Sequence, residues 1–210
     1  MDITLPKESH SAIICGATDC GKTKFALDLL DPGQGPGRSR GQYADVFDRI
    51  VIICPTIQRN RTYLDREWLW TSPRVVIVPA PGERLHDWLR CLYEIFAGQP
   101  TLYLIDDLAA SRTLTRKKDM LSELAFSGRH AQQSVWVLAQ RYNAVLKDLR
   151  EQMKWVALFY CKDRDSFDEC LRENDIVPAS ERPVLRAELA SRPRSKLLLK
   201  TSQPSAYMVA

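Results

Sequence analysis

The sequence has no CxxC pair, and its three histidines (His10, His86 and His130) are too dispersed to share a metal with one another or with a cysteine. That argues against a zinc site. The six cysteines, Cys15, Cys20, Cys54, Cys91, Cys161 and Cys170, stand singly, several within apolar runs where a reduced, buried thiol is the ordinary occupant. A reducing compartment follows. No apolar run approaches the roughly 18 residues of a membrane span, and the mixed start MDITLPKESH lacks the basic and apolar regions of a signal peptide. The expectation is a soluble, intracellular protein that is neither secreted nor a membrane partner. Extreme charge is also missing: a formal +4 is compatible with a polyanionic partner without demanding one. With 45% hydrophobic and 27% charged residues, the chain is not of the disordered class.

What is present is an alternation of short β-branched runs with longer amphipathic ones. Strands are predicted at SAIIC (11–15), RIVIIC (49–54), RVVIV (74–78), TLYLID (101–106), SVWVLA (134–139) and KWVALFY (154–160). Helices are predicted at KTKFALDLL (22–30), ERLHDWLRCLYEIFA (83–97), RKKDMLSELAFSGR (116–129), YNAVLKDLREQM (142–153) and DRDSFDECLREN (163–174). Leu85, Trp88, Leu89, Leu92, Tyr93 and Phe96 recur at helical spacing and read as a stripe facing the core. The pattern predicts an α/β protein with a mostly parallel central sheet flanked by helices, and 210 residues suffice for a single domain, 1–210. The stretch DPGQGPGRSRGQ (31–42) forbids a regular element and reads as a mobile loop.

GATDCGKT (16–23) satisfies GxxxxGK[ST] between the first strand and the first helix. Gly16 and Gly21 let backbone N–H groups turn inward around phosphates. Lys22 reaches the β- and γ-oxygens, and the Thr23 hydroxyl suits Mg²⁺. Ala17, Thr18, Asp19 and Cys20 complete the loop, and Lys24 follows in the first helical turn, where the helix dipole favours an anion. ATP with Mg²⁺ is the expected ligand.

TLYLIDD supplies the apolar strand ending in acid that such a site needs. Asp106 suits the metal and Asp107 the water-polarising role, although Asp is one methylene shorter than the more usual Glu. Gln140, at the end of SVWVLA, offers a neutral amide that can sense the γ-phosphate and orient water. Arg129 precedes that strand and Arg141 follows it. Either could serve a neighbouring subunit as an arginine finger, and either could form a surface ion pair.

The set GATDCGKT, IICPT, LIDD and SGRHAQQSVWVLAQRYN resembles the poxvirus-type DNA-packaging ATPases of the FtsK–HerA superfamily. It is most similar to the versions carried by Maverick/Polinton elements and adintoviruses, in which stretches like LKDLREQMKWVALFYCKDRDSFDECLREND also occur. The resemblance spans most of a core at 9–177 and leaves a basic C-terminal segment, 178–210. It implies a three-layer P-loop NTPase of the additional-strand, catalytic-acid type, with the Gln140 strand between the phosphate-loop strand and the LIDD strand. It also implies a homo-oligomeric ring that drives double-stranded DNA into a capsid, a possible capsid or portal partner, and a host cytoplasmic, nuclear or capsid-associated setting. No winged helix or membrane anchor accompanies the motor motifs, as suits a packaging motor rather than a cell-division pump.

A motor that accepts every sequence grips phosphates. Arg112, Arg116, Lys117 and Lys118 in SRTLTRKKD are the candidates, with a solvated helical turn as the competing role, and the tail RPVLRAELASRPRSKLLLK is a second, weaker one. Two other classes accommodate the cradle. A nucleoside or small-molecule kinase would use SRTLTRKK as a lid but leaves Asp107 and Gln140 without a purpose. A nucleotide switch would signal by conformation, and the NKxD guanine-reading motif is missing.

Overall fold

The six apolar, β-branched runs all form strands: β1 (Ser11–Cys15), β2 (Arg49–Ile53), β3 (Val75–Val78), β4 (Thr101–Asp106), β5 (Gln133–Ala139) and β6 (Met153–Phe159). The computed structural model describes residues 3–34, 37, 39–78, 84–106 and 120–210. Strand order is β3-β2-β4-β5-β1-β6, all parallel, so the Gln140 strand β5 does lie between the phosphate-loop strand β1 and the acidic strand β4.

Both faces of this sheet are covered, which explains why its strands read as continuous apolar runs rather than alternating ones. Along β5, Trp136 and Leu138 point to one layer and Val135, Val137 and Ala139 to the other, all buried. The first layer packs on helix α1 (Lys22–Leu30) through Ala26, Leu27 and Leu30, and on the short helices α2 (Arg61–Leu64) and α3 (Glu67–Thr71) through Tyr63, Trp68 and Leu69. The opposite layer packs on α4 (Leu85–Ile95), α5 (Met120–Ser127) and α7 (Arg164–Asn174). At about 25 cal/mol per Å² of apolar surface, each large side chain sealed in these layers contributes roughly 1.5–3 kcal/mol.

Several expectations need correction. YNAVLKDLREQM is not one helix: a 3₁₀ turn at Tyr142–Ala144 is followed by extended Val145 and Leu146, and only α6 (Lys147–Arg150) is α-helical. Tyr142, Val145 and Leu149 all enter the core, although the segment is broken between them. Trp88, placed in the apolar stripe, is 46% exposed, whereas Leu85, Leu89 and Leu92 are buried. Helices α2 and α3 are not among the predicted ones; α2 is capped by Asn60, whose side chain accepts from the Thr62 N–H at 3.0 Å. The basic tail folds as α8 (Arg182–Ser191) and two strands, β7 (Lys196–Lys200) and β8 (Ala206–Val209), which extend the sheet antiparallel beyond β6. The ends of the 31–42 loop are tied together: Gly41 N–H donates to Asp31 O and Tyr43 N–H to Leu29 O, both at 2.8 Å.

Candidate nucleotide site

Gly16 N–H donates to Ala139 O at 3.1 Å, so the phosphate loop leaves β1 while still bonded to the end of β5. A Cβ on Gly16 would stand 2.5 Å from Phe159 Cβ and 2.8 Å from Cys20 Sγ, so only glycine fits between the loop and β6. The loop then passes through two left-handed residues, Asp19 (φ 62°) and Gly21 (φ 99°). Gly21 is the N-cap of α1 and supplies no side-chain acceptor, and no acid lies in the first helical turn. The N–H groups of that turn are therefore available to an anion. Lys22 Nζ donates to Ala17 O at 2.8 Å, folded back across the loop it would leave on meeting phosphate. Burial pushes the Cys20 thiol up, with Lys22 pulling the other way, so Cys20 is a packing group rather than a thiolate.

Across the cleft, Thr23 Oγ1 donates to Asp106 Oδ2 at 2.9 Å, joining the start of α1 to the end of β4. The same carboxylate oxygen accepts from Tyr63 Oη at 2.8 Å. Tyr63 is fully buried and Asp106 is 6% exposed, so α2 sets the carboxylate's rotation from behind the sheet edge. Thr23 and Asp106 offer oxygen only, the donor set a hard divalent cation such as Mg²⁺ prefers.

These residues enclose a cleft of about 620 Å³. Of the expected site residues, Thr18, Asp19, Gly21, Lys22, Thr23, Lys24, Asp106 and Gln140 line it together. Gly16, Ala17 and Cys20 form the loop behind it. Asp107 and the basic residues Arg112, Arg116, Lys117 and Lys118 lie outside the described residues. The two candidate arginines separate: Arg141 lines this cleft, its Nε 3.9 Å from Asp163 Oδ2, whereas Arg129 is exposed in a 3₁₀ turn (Gly128–Ala131) that precedes β5. The seven residues of β5 put about 20 Å between that turn and the cleft.

Sequence reasoning missed Tyr63, Arg194 and the polar group Thr56, Asn60 and Thr62, all of which except Tyr63 line the cleft. Nothing in the tyrosine's own neighbourhood, NRTYLD, marks it, because its partner lies 43 positions away.

The genome packaging NTPase B204 from Sulfolobus turreted icosahedral virus 2, solved in complex with ATP-gammaS, superposes with a TM-score of 0.68 over 96% of each chain at 11% identity. B204 from Sulfolobus turreted icosahedral virus, described as a DNA-packaging ATPase, gives 0.67 over 97% of this chain and 98% of that one, at 11% identity. The fold is that of a P-loop NTPase. EssC, ATPases 2 and 3, from Geobacillus thermodenitrificans shares it, with a TM-score of 0.62 and 13% identity over 97% of this chain and 39% of EssC. No family model and no curated protein matches the sequence. The P-loop NTPase architecture accounts for the cleft's position: it sits at the carboxyl ends of β1, β4 and β5, where parallel strands of this class open onto ligand.

Proposed function

We propose that this protein is an ATP-hydrolysing motor that moves double-stranded DNA, packaging a viral or virus-like genome into a capsid. The observation that carries the reading is the Thr23–Asp106 hydrogen bond at 2.9 Å, in a cleft that also gathers Lys22 and Gln140. Four residues scattered over more than a hundred positions converge in the arrangement that triphosphate hydrolysis needs. The similarity in fold to B204 supports the packaging assignment over other uses of a P-loop. The motifs from GATDCGKT to SGRHAQQSVWVLAQRYN support placement in the FtsK–HerA superfamily, nearest the Maverick/Polinton and adintovirus members.

In this reading Gly16 to Lys24 wrap the phosphates, and Lys22 leaves Ala17 O to reach the β- and γ-oxygens. Thr23 and Asp106 hold Mg²⁺, which neutralises charge on those oxygens when bound. Asp107 takes the proton of the attacking water, and Gln140 orients that water. Arg129 is the finger, offered to the next subunit of a homo-oligomeric ring, because it sits at the amino end of β5, remote from its own cleft. Arg141 acts within its own subunit. Arg112, Arg116, Lys117 and Lys118 follow the acidic strand end in sequence and grip DNA phosphates. A capsid or portal component completes the set of partners.

Phosphate release measured with and without double-stranded DNA tests the proposal. A packaging motor releases phosphate from ATP faster with DNA and loses both rates on Lys22→Ala. Near-full turnover in Lys22→Ala, or a rate indifferent to DNA, would sink it. A kinase would release little phosphate without an acceptor, and a switch would turn over slowly under both conditions.

A further inference from the structure

The turn between α8 and β7 places an arginine where the backbone calls for glycine. Ser195 N–H donates to Arg192 O at 3.2 Å, with Pro193 and Arg194 as the central residues of the turn. Arg194 has φ 66°. Proline followed by a left-handed residue is the type II signature, and its third position is one that glycine or asparagine fills without strain. A long, branched cation there is held at an energetic cost, and such outliers cluster where they serve a ligand.

No protein partner offsets that cost: Arg194 is exposed and has neither an ion pair nor a side-chain hydrogen bond among the described residues. Its side chain is nonetheless directed. Cγ and Cδ lie 3.8 and 4.0 Å from where a Cβ on Gly21 would stand, so the stem crosses the N-cap of α1 and the residue lines the nucleotide cleft. Lys22 and Lys24 line the same cleft. The acids there do not answer Arg194, since Asp106 is engaged by Thr23 and Tyr63, and Asp19 makes no ion pair with it.

We infer that Arg194 binds the phosphate chain of the nucleotide within its own subunit, clamping it from the side of the antiparallel β7–β8 extension. A planar guanidinium can take two phosphate oxygens at once, which neither lysine in the cleft can do. The C-terminal segment thereby becomes part of the nucleotide site. The inference rests on the cleft being a nucleotide site, as proposed above.

The test is calorimetric binding of Mg-ATP and of inorganic tripolyphosphate to the full chain and to Arg194→Gly, Arg194→Lys and Lys22→Ala. Arg194→Gly suits the turn, so its unfolding midpoint should equal or exceed that of the parent, while both ligands bind at least tenfold more weakly. Arg194→Lys should fall between the two. Affinities within twofold of the parent in Arg194→Gly overturn the inference, as does a lowered unfolding midpoint, which would assign Arg194 a structural role. Weakening of ATP alone would assign it to the base or sugar and overturn the phosphate clamp. If Lys22→Ala abolishes binding while Arg194→Gly does not, the inference fails and the nucleotide site stands. If Lys22→Ala also binds normally, the nucleotide reading itself fails.

Discussion

The hydroxyl of Tyr63 donates to Asp106 Oδ2 at 2.8 Å, and Thr23 donates to that same oxygen at 2.9 Å. Two donors on one oxygen fix the carboxylate's rotation. A Thr23 hydroxyl that offered a lone pair to a metal would keep its proton for Asp106, and Tyr63 would remain the second donor that orients the carboxylate. Groups that orient a metal ligand in this way typically carry about 10- to 100-fold in metal affinity or activity. Tyr63→Phe keeps the ring's packing and should cost only about 1 kcal/mol of stability. The Mg²⁺ concentration for half-maximal hydrolysis should rise by about tenfold. An unchanged Mg²⁺ requirement in a titrated phosphate-release assay would remove Tyr63 from the site.

Gly16 is constrained by space rather than by φ. An added methyl would meet Phe159 Cβ at 2.5 Å, a backbone-anchored atom that no rotamer change moves. Gly16→Ala should therefore destabilise by about 1–3 kcal/mol, as overpacking does, and depress nucleotide binding by displacing the loop. The geometry also forecasts which second change helps. Phe159→Ala keeps the offending Cβ and should give no relief, whereas Phe159→Gly removes it. Denaturant midpoints of the two double variants decide the point, and equal midpoints would refute the steric account.

The parts of the fold legible in the sequence are those whose signal is local. The runs at β1 and β4 and the amphipathic span of α1 coincide with the elements observed, because a parallel strand sealed on both faces is apolar throughout. The phosphate loop was legible for a similar reason: its glycines, Lys22 and Thr23 are contiguous. What escaped depends on partners far away in the chain. Arg66 is one example, a buried guanidinium paired with Asp31 at 2.5 Å and also with Asp28, which ties α3 to the far end of α1. Arg194 is another, reaching Gly21 from a segment whose composition suggests only a basic tail. The split of YNAVLKDLREQM could not be seen because Tyr142, Val145 and Leu149 recur at a helical period whether or not the segment is broken.

His10 makes stability depend on pH. Its ring accepts from Trp136 Nε1 at 2.9 Å through Nε2, which requires a lone pair there, and its Nδ1 lies 2.6 Å from Glu8 O as the donor. Burial lowers its pKa to about 4, against a backbone hydrogen bond that acts the other way. The folded chain thus holds a neutral ring while the unfolded chain protonates near 6.5, so the unfolded state binds more protons between those values. This contribution is fully present above about pH 6.5 and is lost as pH falls toward 4, reaching about 3 kcal/mol at most. His10→Gln should be less stable than the parent at pH 7, and the gap should narrow steadily on acidification. Denaturation at pH 7, 5.5 and 4.5, followed by tryptophan emission, tests this; a gap independent of pH would show that His10 does not titrate on unfolding.

The two arginines flanking β5 should behave oppositely in mixed assemblies. Arg129 stands at the amino end of β5 and Arg141 beyond its carboxyl end, in the cleft, so in the proposed ring the first would serve a neighbour's cleft and the second its own. An Arg129→Ala subunit keeps a sound phosphate loop but offers no finger. A Lys22→Ala subunit has a dead loop and an intact finger. Placed next to each other, the second can serve the first, and in a random equal mixture about a quarter of the clefts have both parts. Since a finger is worth about 10³- to 10⁵-fold in rate, that quarter should lift hydrolysis far above the sum of the two inactive variants. Arg141→Ala mixed with Lys22→Ala should show no such gain, because each intact cleft still lacks its own Arg141. Rescue of Arg141→Ala, or activity that is merely additive for Arg129→Ala at every ratio, would mean that the catalytic arginine is not shared across an interface at Arg129.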